Sequence, residues 1–319
     1  MAITEETESE RSDDGSDSDA EAGSRSGSEI GTETGTDERV AEDRQTRKKC
    51  VLITGCSSGI GRATARAFLA QNWQVVATAR TVDDIADLAD AGCHTLQLDV
   101  TDPDQVADAV ERTVEIGGAI DCLVNNAGYA QMGPLEDVRT YDLHRQFDVN
   151  VYGPHRLARA ALPHMRAQGY GRIVNVSSVI GRVSMPGAGA YAGSKHALEA
   201  MSDALRAEVE EFGVDVVLIE PGPVETNFTA RVEEELPSEE RTPDYENLYE
   251  IYDEMQLIGG GGPLAADPED VAAVILQASS CTEPAARYPV GRFAQYSTYA
   301  RFLPDTLRDA VYGLLRKLV

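Results

Sequence analysis

Short aliphatic and β-branched runs recur along the chain, and each is followed by polar sequence whose apolar residues fall at helical spacing. Cys50-Val51-Leu52-Ile53-Thr54 is the first run. Trp73–Ala79, His94–Val100, Ile120–Val124, Ile173–Val176 and Val214–Ile219 follow it. Runs this short and this continuously apolar fit strands buried on both faces of a parallel sheet. Between them, Ala63, Ala67, Phe68 and Leu69 mark a helix, and Asp102-Pro103 opens another with an N-cap and a first-turn proline. A long helix is predicted from about Asp137 to Gln168, and a further one from near Tyr191 to about Phe212. This alternation predicts the α/β class, a doubly wound parallel sheet covered on both faces. Ligands of such sheets sit outside the carboxyl ends of the strands. Here those ends fall at Gly55, Arg80, Asp99, Asn125, Ser178 and Pro221.

The pattern is missing from residues 1–47, which are mostly Glu, Asp, Ser, Thr and Gly. Such a segment cannot offset its ordering entropy by burial. The expected organisation is a disordered acidic tail over 1–47 and one Rossmann-type domain over 48–319. No stretch resembles a signal peptide or a membrane span, so a soluble, cytoplasmic protein without an integral membrane segment is expected. The formal charge of -26, from 54 acidic and 28 basic residues, argues against nucleic acid as a partner. Lysine occurs only at Lys48, Lys49, Lys195 and Lys317. Acid excess with little lysine suits a salt-adapted (halophilic) protein, with ordinary acidity as the alternative. Cys50, Cys56, Cys93, Cys122 and Cys281 show no paired spacing, which predicts reduced thiols and no metal site.

Against that background a few polar stretches carry chemistry. Gly55-Cys56-Ser57-Ser58-Gly59-Ile60-Gly61 lies between a strand and a helix. A turn of this kind lets backbone approach a phosphate at a helix N-terminus, although the spacing departs from G-x-G-x-x-G and also reads as a tight packing turn. After the second strand, Ala79 is neutral and Arg80 basic, which suits a 2′-phosphate and favours NADP(H), with NAD(H) possible. Tyr191 and Lys195 stand at i and i+4 on a predicted helix and share one face. A neighbouring ammonium favours the phenolate, making the pair a candidate acid/base near neutral pH. In isolation the same spacing also describes a solvated surface pair.

Taken together, Thr54-Gly55-Cys56-Ser57-Ser58-Gly59-Ile60-Gly61, Asp99-Val100, Asn125-Asn126-Ala127-Gly128, Asn150, Ser178, Tyr191-Ala192-Gly193-Ser194-Lys195 and Pro221-Gly222 resemble the short-chain dehydrogenase/reductase family. Roughly Lys49 to Thr226 is covered. The resemblance implies Tyr191 as proton donor and acceptor, and Lys195 lowering its pKa and holding the nicotinamide ribose. It implies Ser178, rather than its neighbour Ser177, on the substrate oxygen, and Asn150 anchoring a water linked to Lys195. The implied cofactor surface comprises Gly55, Ser57, Ser58, Gly59, Ile60, Gly61, Arg80, Asp99, Val100, Asn126, Ala127, Gly128, Tyr191, Lys195, Pro221, Gly222, Val224 and Thr226. Asp99 would meet the adenine and Thr226 the carboxamide end.

Ile219–Thr226 and Arg287-Tyr288-Pro289-Val290-Gly291 look like the branch acting on steroids and retinoids, which transfers a lipophilic alcohol or ketone only by analogy. Aromatics within 223–263 suggest a substrate lid, or else a surface helical hairpin. The 303–319 stretch has an amphipathic helical pattern, fit to cover the cleft, join a subunit contact or rest on a membrane surface. Family members commonly pair through the two long helices, so a homodimer or homotetramer is expected. The expected activity is hydride transfer between NADP(H) and a ketone, aldehyde or secondary alcohol. NAD-linked oxidation of a small polar alcohol and a non-catalytic redox sensor are the alternatives.

Overall fold

The computed structural model describes residues 47–225, 241–250, 265–297 and 302–318. The acidic tail (save Arg47), most of the expected lid and Thr226 lie outside them. Among the described residues, seven strands form one sheet: β1 (Cys50–Ile53), β2 (Gln74–Ala79), β3 (His94–Gln97), β4 (Cys122–Asn125), β5 (Gly171–Val176), β6 (Val214–Pro221) and β7 (Arg287–Val290). Their order is β3-β2-β1-β4-β5-β6-β7, and every pairing is parallel. The chain therefore winds outward from β1 in one direction and then, from β4, in the other. All carboxyl ends lie along one edge.

Successive strand residues alternate between two cores. Val51 and Ile53, Cys122 and Val124, Val174 and Val176, and Val217 and Ile219 face helix α1 (Gly59–Ala70) and the later helix Pro268–Ser280, through Phe68, Val271 and Ile275. Cys50 and Leu52, Leu123, Ile173 and Val216 face the opposite layer. There the 3-10 turn Val82–Ile85 and short α2 (Ala86–Asp90) have been passed, and α3 (Pro103–Gly117) supplies Val106, Ala109 and Val110. The Asp102 carboxylate caps α3 by accepting the N–H groups of Asp104 (2.9 Å) and Gln105 (3.2 Å), so the N-cap read from Asp102-Pro103 is present.

The predicted long helix starts later than Asp137 and is interrupted. Helix α4 (Thr140–Phe147) leads into a π-helical turn, Asp148–Tyr152, and then α5 (Gly153–Gln168). Helix α5 packs Leu157, Ala158, Ala161 and Met165 on the sheet. Single π turns inserted in α-helices occur mostly at functional sites. Helix α6 runs Gly189–Val209 and ends in a 3-10 turn, Glu210–Phe212. Helices α7 (Pro268–Ser280), α8 (Arg292–Ser297) and α9 (Asp305–Leu318) complete the described elements. Strand β7 escaped the hydrophobic pattern because it is a four-residue edge strand with a proline, a residue tolerated at sheet edges.

At the opposite edge of the sheet, Arg47 belongs to the fold although its neighbours resemble the tail. Its guanidinium donates to Asp121 (2.7 and 3.0 Å) and to the Tyr170 hydroxyl (2.5 Å), and Asp121 also accepts the Cys50 N–H. All five thiols are free, and all but Cys281 are buried.

Candidate active site

The β1–α1 turn is the tightest part of the carboxyl edge. Gly55 (φ +73°) and Gly59 (φ +53°) occupy the left-handed region, which a side chain makes costly. A Cβ on Gly61 would land on the Gly55 carbonyl oxygen and 2.5 Å from Asn126 Nδ2. That amide nitrogen donates to the carbonyls of Thr54 (2.8 Å) and Gly55 (3.1 Å). The Thr54 hydroxyl in turn accepts the N–H groups of Asn126 (3.0 Å) and Ala127 (2.9 Å). The turns after β1 and β4 are thus one welded unit. Ile60 packs into the core beneath, while Ser57 and Ser58 stay half-buried at the rim. Ser58 holds the N-cap position of α1 without a side-chain cap bond.

Arg80 follows β2 and is exposed, with no side-chain bond or ion pair among the described residues. Asp99 and Val100 follow β3. Asp99 Oδ1 accepts from the Thr101 N–H (2.9 Å) and hydroxyl (2.7 Å). Val100 is buried against Gly153, where a Cβ would meet Val100 Cγ2 at 2.8 Å. Pro221 ends β6, Gly222 N–H donates to Val290 O (3.0 Å), and Val224 bridges to Ala266.

Four further residues meet beside this surface. Asn150, in the π turn, is buried; its Nδ2 donates to Tyr129 O (2.9 Å) and Ser194 Oγ (3.1 Å), and its Oδ1 accepts the Tyr129 N–H (3.1 Å). A Cβ on Gly128 would sit 3.0 Å from Asn150 Oδ1 and 3.8 Å from Lys195 Nζ. Ser178 follows β5, and its side chain is hydrogen-bonded to the Tyr191 phenol. Ser177, in contrast, is buried and turned toward Gly181 and Glu199. Ser178 thus reaches the phenol, while Ser177 bonds Glu199.

Lys195 is 6 % exposed; its Nζ donates to Val176 O (2.8 Å) and lies 5.8 Å from the Tyr191 ring centroid. Burial pulls the ammonium down to about 8, and Glu199 one turn further along α6 pulls it back up. Burial pushes the Tyr191 phenol up to about 12, against the hydrogen bond with Ser178. This differs from the expected lowering of the phenol by Lys195. The ammonium points at a backbone carbonyl, so desolvation of the hydroxyl outweighs its attraction.

Residues 241–250, the larger described part of 223–263, are hydrogen-bonded to the β4–α4 connection. Asp137 accepts from Thr242 N–H (3.1 Å), Thr242 Oγ1 (2.6 Å) and Tyr249 OH (2.6 Å), while Tyr245 OH donates to Glu136 (2.7 Å). Arg241 stacks on the buried Tyr249 ring at 4.4 Å. Pro243–Tyr245 forms a 3-10 turn there, and 246–250 are helical. The other residues of 223–263 expected to form a lid, including Phe228, Leu236, Ile251, Tyr252 and Met255, lie outside the described residues.

The family model for short chain dehydrogenase matches residues 49–237. The chain belongs to the short-chain dehydrogenase/reductase family. This short-chain dehydrogenase/reductase is 38% identical over 266 residues to the uncharacterized oxidoreductase YbbO of Escherichia coli strain K12, covering 83% of this chain and 94% of the relative. It is 37% identical over 270 residues to 17-beta-hydroxysteroid dehydrogenase type 1 of Homo sapiens, covering 80% and 78% respectively, and it falls in the steroid/retinol dehydrogenase-like branch. A crystal structure of a short-chain dehydrogenase from Streptomyces avermitilis superposes with a TM-score of 0.71 at 34% identity, over 83% of this chain and 95% of that one. The protein is thus an NAD(P)-dependent oxidoreductase.

The residues present fit a dinucleotide. The turn has no room for a Cβ at Gly55 or Gly61, Ser57 and Ser58 lie half-buried at its rim, and the N-terminus of a twelve-residue helix follows it. Thr54, which welds the two turns, and Ser194, which holds Asn150, stand inside the sequence motifs without a role assigned to them, and the buried carboxyls Glu199 and Glu220 had none either. Only Glu199 could have been suspected, since it repeats the four-residue spacing of Tyr191 and Lys195.

Proposed function

We propose that the protein is an NADP(H)-dependent reductase of lipophilic ketones or aldehydes, able also to oxidise the matching secondary alcohols. The observation that carries this reading is the hydroxyl pair of Ser178 and Tyr191 at the carboxyl edge, with Lys195 on the same helix face. Two hydroxyls joined in this way can hold one substrate oxygen, and charge developing there is met by both donors. Tyr191 keeps its proton at neutral pH and so rests as a donor, which suits carbonyl reduction. Lys195 remains largely charged at pH 7 and stands ready for the ribose hydroxyls and for the phenolate left after proton transfer. Asn150 fixes the backbone of Tyr129 beside them. The nicotinamide, when bound, supplies the hydride.

Gly55, Ser57, Ser58, Gly59, Ile60 and Gly61 would hold the pyrophosphate, Asp99 and Val100 the adenine, and Asn126, Ala127 and Gly128 the ribose side. Pro221, Gly222, Val224 and Thr226 would bound the nicotinamide. Arg80, exposed at the end of β2, has no ion pair among the described residues, which supports a 2′-phosphate there and hence NADP(H) over NAD(H). A lipophilic substrate is supported by Leu135, exposed and packed over Gly189 at the start of the Tyr191 helix, and by the name of the human relative.

The test is a panel of aldehydes, ketones and alcohols followed by nicotinamide absorbance with NADPH and NADH separately. Tyr191→Phe is expected to lower turnover by about 10²–10⁴-fold while leaving NADPH binding intact. A turnover unaffected by Tyr191→Phe removes the proposal, and equal affinity for the two cofactors removes the role of Arg80.

A further inference from the structure

Tyr191, Lys195, Glu199 and Asp203 follow one another at four-residue intervals along one stripe of α6. The first two face the site. The third is 4 % exposed and meets Glu220 of β6, which is 2 % exposed. Both carboxyls address the same nitrogen: Arg287 Nε lies 3.0 Å from Glu199 Oε2 and 3.2 Å from Glu220 Oε1. Arg182 reaches them from the other side, 3.5 Å from Glu199 and 3.7 Å from Glu220.

Two carboxylates crowded onto shared cations in a dry place do not both ionise freely. The hydrogen bonding points the same way. Ser177 and Arg287 donate to Glu199, Arg287 also faces Glu220, and the two carboxyls are in hydrogen-bond contact with each other, which requires a proton between them. Burial and the adjacent Glu199 raise Glu220 to about 7, and burial raises Glu199 despite Arg287. The charged and titratable groups facing the pair are Lys195 and Asp203 from α6, Arg182 from the Val179–Gly181 turn and Arg287 from β7. Ser177, a neutral hydroxyl after β5, lies alongside.

We propose that Glu199 and Glu220 share one proton and act as the buried counter-charge of Lys195, a positioning pair that keeps the ammonium charged and fixed behind Tyr191. The proposal rests on the reading of Tyr191 and Lys195 as the acid/base machinery. It goes beyond that reading by giving the lysine a partner on the side away from the cofactor. Glu199 is the carboxyl that acts on Lys195 directly, and it also raises its neighbour Glu220, where the shared proton is held.

Two measurements test it. The first needs no turnover: infrared spectroscopy of the full chain at pH 7, in H2O and D2O. A protonated-carboxyl C=O band is expected in the wild type and is expected to vanish in both Glu199→Gln and Glu220→Gln, because a lone carboxyl beside two guanidinium groups ionises. A wild type without the band, or a band surviving both substitutions, overturns the proposal. The second is the pH profile of kcat/KM for carbonyl reduction. Side chains at i and i+4 lie about 5–6 Å apart at Cβ. Loss of a charge at that range moves an amine by roughly one to two pH units. Glu199→Gln moves the pair's single charge onto Glu220, which does not act on Lys195 directly, so the alkaline limb, set by loss of the Lys195 proton, is expected to shift downward by up to that amount. A uniform fall in activity with the limb unmoved would show that Glu199 only supports the fold. If Tyr191→Phe abolishes turnover but the limb stays put, the acid/base reading survives and the pair alone is rejected.

Discussion

Replacing Gly61 by alanine probes the weld between the β1 and β4 turns more sharply than any other single change. The new methyl meets two atoms that cannot retreat. The Gly55 carbonyl belongs to a residue held at φ +73°, and Asn126 Nδ2 is spent on the carbonyls of Thr54 and Gly55. If the turn keeps its shape, the overlap costs ~1–3 kcal/mol. If Asn126 withdraws instead, two hydrogen bonds worth ~1 kcal/mol each are lost. On either route a loss of ~2 kcal/mol lowers the melting temperature of a domain this size by about 4–8 °C. The same displacement spoils the approach of a phosphate. In the wild type, NADPH at a hundred times its Kd should add ~2.7 kcal/mol of stability. Thermal melts with and without NADPH separate the two effects: Gly61→Ala should melt lower and lose most of the ligand-induced rise. Gly193→Ala is the contrast, because its Cβ would meet only Phe147 ring carbons at 3.8 Å and 4.0 Å on an exposed helix face. There alanine should stabilise by ~0.5–1 kcal/mol. A Gly61→Ala protein with unaltered melting and a full NADPH response would refute the packing argument.

Arg80→Ala should weaken NADPH at least tenfold in a binding titration and leave NADH nearly unchanged. Asp137→Ala removes the acceptor for Thr242 and Tyr249, so KM should rise severalfold with a smaller effect on kcat, as for a latch outside the chemistry. Glu220 binds a proton in the folded state up to about pH 7 but in the unfolded chain only to about 4.5. Its contribution to stability is therefore present in full below 4.5 and lost as pH rises to 7, up to ~3 kcal/mol; urea melts of wild type against Glu220→Gln should show this slope. Lys195 has its folded pKa depressed to about 8, so its burial penalty fades as pH climbs from 8 toward 10.5. Exposed Tyr141, Tyr152 and Met201 on the α4–α5 and α6 surfaces support a homodimer or homotetramer, and sedimentation should detect one.

The strand ends carrying Gly55, Asn126, Ser178 and Pro221 were legible because a strand buried on both faces must be apolar throughout, and such runs stand out. Tyr191 and Lys195 were legible from helical spacing. Other features depend on distances that no local pattern encodes. Glu199 and Glu220 are brought together only because β6 lies under α6. The tightness at Gly61 requires knowing that the Asn126 side chain folds back over the first turn. Arg47 looked like tail because its neighbours in sequence do, whereas its partners, Asp121 and Tyr170, are far along the chain.

The π turn at Asp148–Tyr152 carries a consequence for helix phase. A regular α-helix advances 100° per residue, so one extra residue in the ladder rotates everything after it by that angle. Gln146 and Asn150 turn inward to the Tyr129 backbone, while Leu157, Ala161 and Met165 must meet the sheet. The inserted residue acts as a phase-correcting joint between a face that serves the reaction and one that serves the core, so deleting a residue there would force the molecule to keep one and forfeit the other.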